Sequence, residues 1–156
     1  MRAEIDALNE RVYTNVNNGP YRVAGATAQQ DYEELRRAML AVLAELDERL
    51  AGRRYLFGSD VTEADVRLWP TLARFDTGYN PLAGVTDRRL SHYGNLWAYA
   101  RDLYRLPAFR ETTDFASFGG LVRGPEPSVL HDAPWRIRVE PRLADWDEPP
   151  GRDHLG

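Results

Sequence analysis

The chain has 156 residues, with 20 basic and 24 acidic side chains, three histidines and no cysteine, for a formal net charge of −4. Its length suits one domain with its own core, and 43% hydrophobic residues mark it as globular, with no apolar run long enough to span a bilayer. Without cysteine, the chain offers no disulfide, no thiolate nucleophile and no thiolate-ligated metal.

All the basic residues are arginine, a bias attributed to genome composition. The arginine pairs at 36–37, 53–54 and 88–89 sit among acidic residues, so no basic face suggests nucleic acid. His92, His131 and His154 are too scattered for a metal site, and no glycine-rich phosphate loop occurs. The start, MRAEIDALNERVY, lacks the apolar block of a secretory signal, so the cytoplasm is the expected compartment.

In chain order, Ile5, Leu8, Val12 and Val16 recur at steps of three and four and predict a helix over 2–16. The NNGPY immediately after it reads as its stop, with Pro20 excluding Gly19 from helical space. The stripe Tyr32, Leu35, Met39, Val42, Leu43, Leu46 and Leu50 predicts a long second helix over 28–51, stopped by Gly52.

A complete helix-start signal comes next. Thr62 and Asp65 have capping-box spacing, with Val61 and Val66 as a hydrophobic staple. The helix runs on with Val66, Trp69, Leu72 and Phe75 on its core face, and Pro70 inside it should kink it unless neighbours compensate. Cap spacing accounts for Asp65 better than a catalytic carboxylate does.

Residues 77–90 read as loop, 94–106 as a fourth helix with Leu96, Tyr99, Leu103 and Leu106 at helical steps, and 108–118 as a short helical turn. Beyond 118 glycine and proline are dense, and RIRVEP alternates like a strand. The expectation is an all-α bundle over 1–118 with an extended tail, 119–156, lying on it and anchored by Trp135 and Trp146.

The segment GSDVTEAD, 58–65, resembles the folding motif of the C-terminal helical domain of glutathione transferases. Together with NNGPYR (17–22), TEADVRLWPTLARFD (62–76), NLWAYARDLY (95–104) and DEPPGRD (147–153), it is similar to the xi-class branch, the glutathionyl-hydroquinone reductases. The resemblance covers nearly the whole chain. It implies an N-terminal thioredoxin-like domain upstream of Met1 that carries the nucleophilic cysteine, with glutathione or another low-molecular-weight thiol as co-substrate. It also implies an aromatic thiol conjugate as substrate, no cofactor bound by this chain, and a homodimer as one possible assembly.

Within that resemblance, Tyr21 matches the proton donor to the leaving aromatic carbon, since a phenol with a reference pKa of about 10 is protonated at neutral pH. Taken alone, Tyr21 reads as a ring packed beside a turn. Tyr79 matches a second tyrosine that stabilises the thiolate by hydrogen bonding, against the plainer reading of a loop aromatic covering the core. Trp69 and Trp97 read as core, with lining of a hydrophobic substrate pocket as the alternative. Where the family carries a further tyrosine, this chain has Val122. Two readings of function stand: the substrate-binding half of a thiol-dependent reductase, or a stand-alone helical binding module, with a carrier for aromatic ligands as a third.

Overall fold

A computed structural model of the chain describes residues 2–118 and 133–155. Eight α-helices follow one another in them: α1 (Arg2–Val12), α2 (Gly19–Ala24), α3 (Gln29–Arg49), α4 (Glu63–Ala73), α5 (Asn80–Ala83), α6 (Gly94–Tyr104), α7 (Pro107–Arg110) and α8 (Phe115–Phe118). Two π-helical turns, Tyr13–Asn17 and Phe75–Tyr79, and a 3-10 turn at Leu90–His92 lie between them. No strand forms among the described residues, Arg136 to Pro141, whose alternation suggested one, included. Residue 122 and His131 lie outside the described residues.

The helices exist because each buries one stripe. On α3 that stripe is Tyr32, Met39, Val42, Leu43 and Leu46, and on α6 it includes Leu96, Tyr99, Ala100 and Leu103. Burial of four or five large apolar side chains at about 1.5–3 kcal/mol each outweighs the weak intrinsic stability of helices this short. Asp47 of α3 accepts from the Leu96 N–H at 2.7 Å, satisfying the first turn of α6 from a neighbouring helix because Tyr93, its N-cap residue, supplies no side-chain acceptor.

Three expectations change. The chain does not leave helical geometry at NNGPY: Gly19 is the first residue of α2 and Pro20 sits in its first turn, where a missing N–H costs nothing. Gly19 is needed instead for packing, since a Cβ there would stand 2.8 Å from Met39 Sδ. Gly52 does not stop α3, which ends at Arg49 and is capped by Leu50 with right-handed geometry. Residues 77–90 are not simple loop, because the π turn and α5 continue directly from α4. Gly84 then closes α5 at φ 64°, and Asn80 locks the return with bonds to both Thr86 N and Thr86 O.

Helix α4 carries the clearest agreement and one correction. Asp65, fully buried, accepts from Thr62 N at 2.7 Å and Thr62 Oγ1 at 2.8 Å, so the box is closed. Its other oxygen accepts from Leu56 N at 3.0 Å and Tyr99 Oη at 2.8 Å, tying the preceding loop and α6 to the same carboxylate. Val66, placed by the sequence on the core face, is 54% exposed, and Val61 is exposed too. The buried arc centres on Leu68 and Leu72, and a residue two positions from Leu68 is turned by about 200° to the opposite side. Pro70 leaves α4 continuous, and Asn17 Nδ2 donates to Arg67 O at 3.0 Å and Thr71 Oγ1 at 2.7 Å beside it.

Residues 133–155 lie along the bundle. Trp146 is buried among Trp69, Trp97, Tyr104 and Phe115, with ring centroids 4.8–5.7 Å apart. Trp135 meets Tyr32 at 5.2 Å. Arg152, almost wholly buried, sends its guanidinium to the carbonyls of Leu50, Arg53, Arg54 and Asn95, at the end of α3 and the start of α6. The arginine-only composition therefore has a structural use here: a planar fork serves several carbonyls at once, which a lysine ammonium does poorly.

Candidate functional site

Tyr21 lies in the first turn of α2, shortly after the Tyr13–Asn17 π turn, and is 53% exposed. Tyr79 ends the Phe75–Tyr79 π turn, its N–H bonded to Arg74 O at 3.0 Å, and is half-buried. A π turn adds one residue to the helical repeat and so rotates the chain beyond it by about 100°. Here it succeeds the core helix α4 and leads into Tyr79, and the two tyrosines, 58 residues apart in sequence, come together. Their ring centroids are 5.6 Å apart at 73°, an edge-on contact.

The surroundings of Tyr79 favour its neutral phenol. Burial, and next a hydrogen bond with Tyr21 and its closeness, push the Tyr79 phenol up to about 12. Tyr79 therefore remains a hydrogen-bond donor across the whole physiological range. Arg74 opposes the shift more weakly, and its guanidinium lies instead over the Phe118 ring at 4.5 Å. Three residues before Tyr79 in the same turn, Asp76 accepts from Leu90 N with both oxygens at 3.1 Å, and burial raises its carboxyl. Arg67 of α4 pairs with Glu63 at 2.5 Å.

Trp69 and Trp97 fall elsewhere. Both are 7% exposed, and both pack edge-on against Trp146 in the aromatic cluster that joins α4, α6 and residues 133–155. No ring contact among the described residues links that cluster to the tyrosine pair. Trp97 also borders an open hollow of ≈ 370 Å³, shared with Asp76, Arg89, His92 and Arg142. Among the described residues no group of three or more His, Asp or Glu is placed to hold a metal ion, and no helix is long and apolar enough to cross a membrane.

Sequence reasoning missed two residues around the pair. Arg136, 8% exposed, donates to the carbonyls of Val23, Ala24 and Ala26 at 3.3, 3.0 and 2.6 Å, closing the end of the helix that bears Tyr21. Tyr32 read as one position of a core stripe, yet its hydroxyl bonds Gly84 O and accepts from Ile137 N at 2.9 Å. Neither has a local signal, because each acts on residues at least 50 positions away.

A bundle whose core helix opens with a buried Asp cap, and which presents two phenols at one edge, has the architecture of the helical domain of glutathione transferases. Residues 29–102 match the family described as Glutathione S-transferase, C-terminal domain. The chain carries that domain, and the proteins it is similar to include glutathionyl-hydroquinone reductases and xi-class transferases. It is 37% identical over 98% of its length to the glutathionyl-hydroquinone reductase YqjG of Escherichia coli (strain K12), of which it spans 46%. The glutathione-bound structure of YqjG superimposes with a TM-score of 0.83 at 38% identity, covering 97% of this chain and 48% of that one. A xi-class transferase from Natrialba magadii gives 0.85 at 33% identity, covering 98% and 46%. The chain thus spans about half the length of the relatives it matches.

Proposed function

We propose that this chain is the substrate-binding helical half of a thiol-dependent reductase acting on glutathionyl-hydroquinones or similar aromatic thiol conjugates. The observation that carries the reading is the edge-on Tyr21–Tyr79 pair, half open to solvent, in a chain so similar to YqjG. The nucleophile belongs to a cysteine-bearing, thioredoxin-like domain N-terminal to this one, and glutathione or a comparable thiol is the co-substrate. In this reading residues 1–118 form the helical domain, residues 133–155 belong to a tail packed on it, and the whole works in the cytoplasm, with a homodimer as the expected assembly.

The chemistry assigns each phenol one task. The cysteine thiolate of the N-terminal domain attacks the sulfur of the conjugate, forming a mixed disulfide and breaking the sulfur–aryl bond, whose electron pair leaves on the aromatic carbon. Tyr21 delivers a proton to that carbon, which suits its exposed position at the edge of the bundle. A second thiol then resolves the mixed disulfide, so that one conjugate and one thiol yield one hydroquinone and one disulfide. Tyr79, held as a neutral donor, hydrogen-bonds the thiolate or the Tyr21 oxygen and steadies the charge at each stage. Trp69 and Trp97 support the site from the core through α4 and α6 rather than by lining it.

The test is turnover by the two-domain protein with Tyr21→Phe. The expected result is a kcat lower by about 10²-fold with little change in thiol affinity, the size of a lost general acid. Unchanged turnover removes Tyr21 as the donor. A product from the native host with a mass of only 17.8 kDa would overturn the reductase reading in favour of a binding module.

A further inference from the structure

We propose that Arg136 and Ile137 form a clip that sets the spacing of Tyr21 and Tyr79, which makes Arg136 a positioning residue of the two-phenol site. This inference rests on the reading that those phenols act together, and it adds a residue with no part in the chemistry itself.

Helix α2 has six residues, too few to be stable alone, so the direction of Tyr21 depends on what holds the helix ends. Its start lies close against Met39, where a Cβ on Gly19 would stand 2.8 Å from Sδ. Its end is held by Arg136, whose guanidinium takes the Ala24 and Ala26 carbonyls and shares the Val23 carbonyl with Ala26 N. This cation is buried, and among the described residues no carboxylate forms an ion pair with it. Its charge is compensated by backbone carbonyls and by the Tyr32 and Trp135 rings, each centred 5.1 Å away. A buried charge held this way keeps α2 in one place, since any shift of the helix would strand it.

The next residue holds the other phenol's segment. Ile137 N donates to Tyr32 Oη, which donates in turn to Gly84 O, the residue that closes α5. Tyr79 immediately precedes α5. The Ile137 carbonyl lies so close to Gly84 that any Cβ there would collide with it, and the φ of 64° excludes other residues as well. Farther along, Arg142 N donates to Asp76 O at 3.0 Å, inside the π turn that ends in Tyr79. Two consecutive tail residues thus join the end of the Tyr21 helix to the end of the Tyr79 segment, with Tyr32 between them.

Arg152 supplies the control. It uses the same fork on four carbonyls, but at the ends of α3 and α6, where neither phenol is carried. In the 156-residue chain, Arg136→Met and Arg152→Met should both lower the melting temperature. Only Arg136→Met should abolish the nuclear Overhauser cross-peak between the Tyr21 and Tyr79 rings, and Arg136→Lys should restore part of it. Should Arg136→Met fail to fold, Tyr32→Phe removes the Ile137 and Gly84 bonds while sparing the guanidinium, and the same cross-peak should weaken. In the two-domain reductase Arg136→Met should lower kcat and leave KM unchanged. A folded Arg136→Met chain that keeps the cross-peak overturns the clip. A lost cross-peak with undiminished turnover upholds the clip and instead sinks the catalytic role of the tyrosine pair.

Discussion

The two ends of α4 make opposite use of polar groups. At its start, Asp65 is fully buried and accepts four hydrogen bonds from Thr62, Leu56 and Tyr99, so nothing of it remains for another molecule. Beyond its other end, Tyr79 and Tyr21 meet edge-on, with Tyr21 more than half exposed. Saturated hydrogen bonding marks a group committed to the fold, and an incompletely enclosed phenol keeps an open edge, as the role proposed for Tyr21 requires. The same helix links both, so the closed end fixes what the open end presents.

Three measurements can break or sharpen that contrast. The largest effect should come from Asp65→Ala, which strands the Leu56 and Thr62 N–H groups inside the protein and should cost about 4 kcal/mol in urea unfolding. A loss below about 1 kcal/mol would mean that the closed end is not what holds α4.

A smaller effect should appear in alkali. The folded Tyr79 phenol ionises near pH 12, whereas an unfolded tyrosine ionises near pH 10. Between these values the unfolded chain has lost more protons than the folded one, so stability is fully present below about pH 10 and falls as pH rises through the folded value. Tyr55, Tyr93 and Tyr99, also raised by burial, act in the same direction. Unfolding midpoints measured from pH 8 to 12 should therefore decline above 10, and Tyr79→Phe should reduce the decline. A slope identical in the variant would show that the Tyr79 environment is as wet in the folded chain as in the unfolded one.

The smallest effect concerns two exposed apolar residues, one of them directly after Asp65 in α4. Val66 of α4 and Tyr13 of the first π turn are each more than half exposed on elements that pack together. Val66→Ser should change unfolding by no more than about 0.5 kcal/mol while lowering the binding of a hydrophobic dye by the isolated chain. Dye binding that is absent from the start would show that this face is not apolar enough to need a cover.

How much of this could be read in advance divides by the range of the interaction. The α3 and α6 stripes and the Thr62–Asp65 box depend on residues within a few positions of one another, and all were legible. Val66 was misplaced because its spacing to Trp69 suits a core face, and only the position of Leu68 among its neighbours decides which arc is buried. Residues 77–90 hid a helix because Gly78, Pro81 and Gly84 resemble loop punctuation, while the Asn80 bonds to Thr86 that stabilise α5 leave no periodic trace. Tyr21 and Tyr79 were nominated by resemblance, but their contact depends on a π turn that no periodicity reveals. Arg136, one arginine among many, could not be singled out at all.

The Arg136 contact also fixes an order of events during synthesis. Its guanidinium reaches carbonyls as far as 113 positions back along the chain. A ribosome making this protein releases α2 and the Tyr79 segment long before the residue that joins them, so the nascent chain carries both phenols with their spacing unset. Contacts of such long separation close late and slowly. Truncation between residues 97 and 136 would therefore leave a chain with every nominated side chain present and the site unassembled.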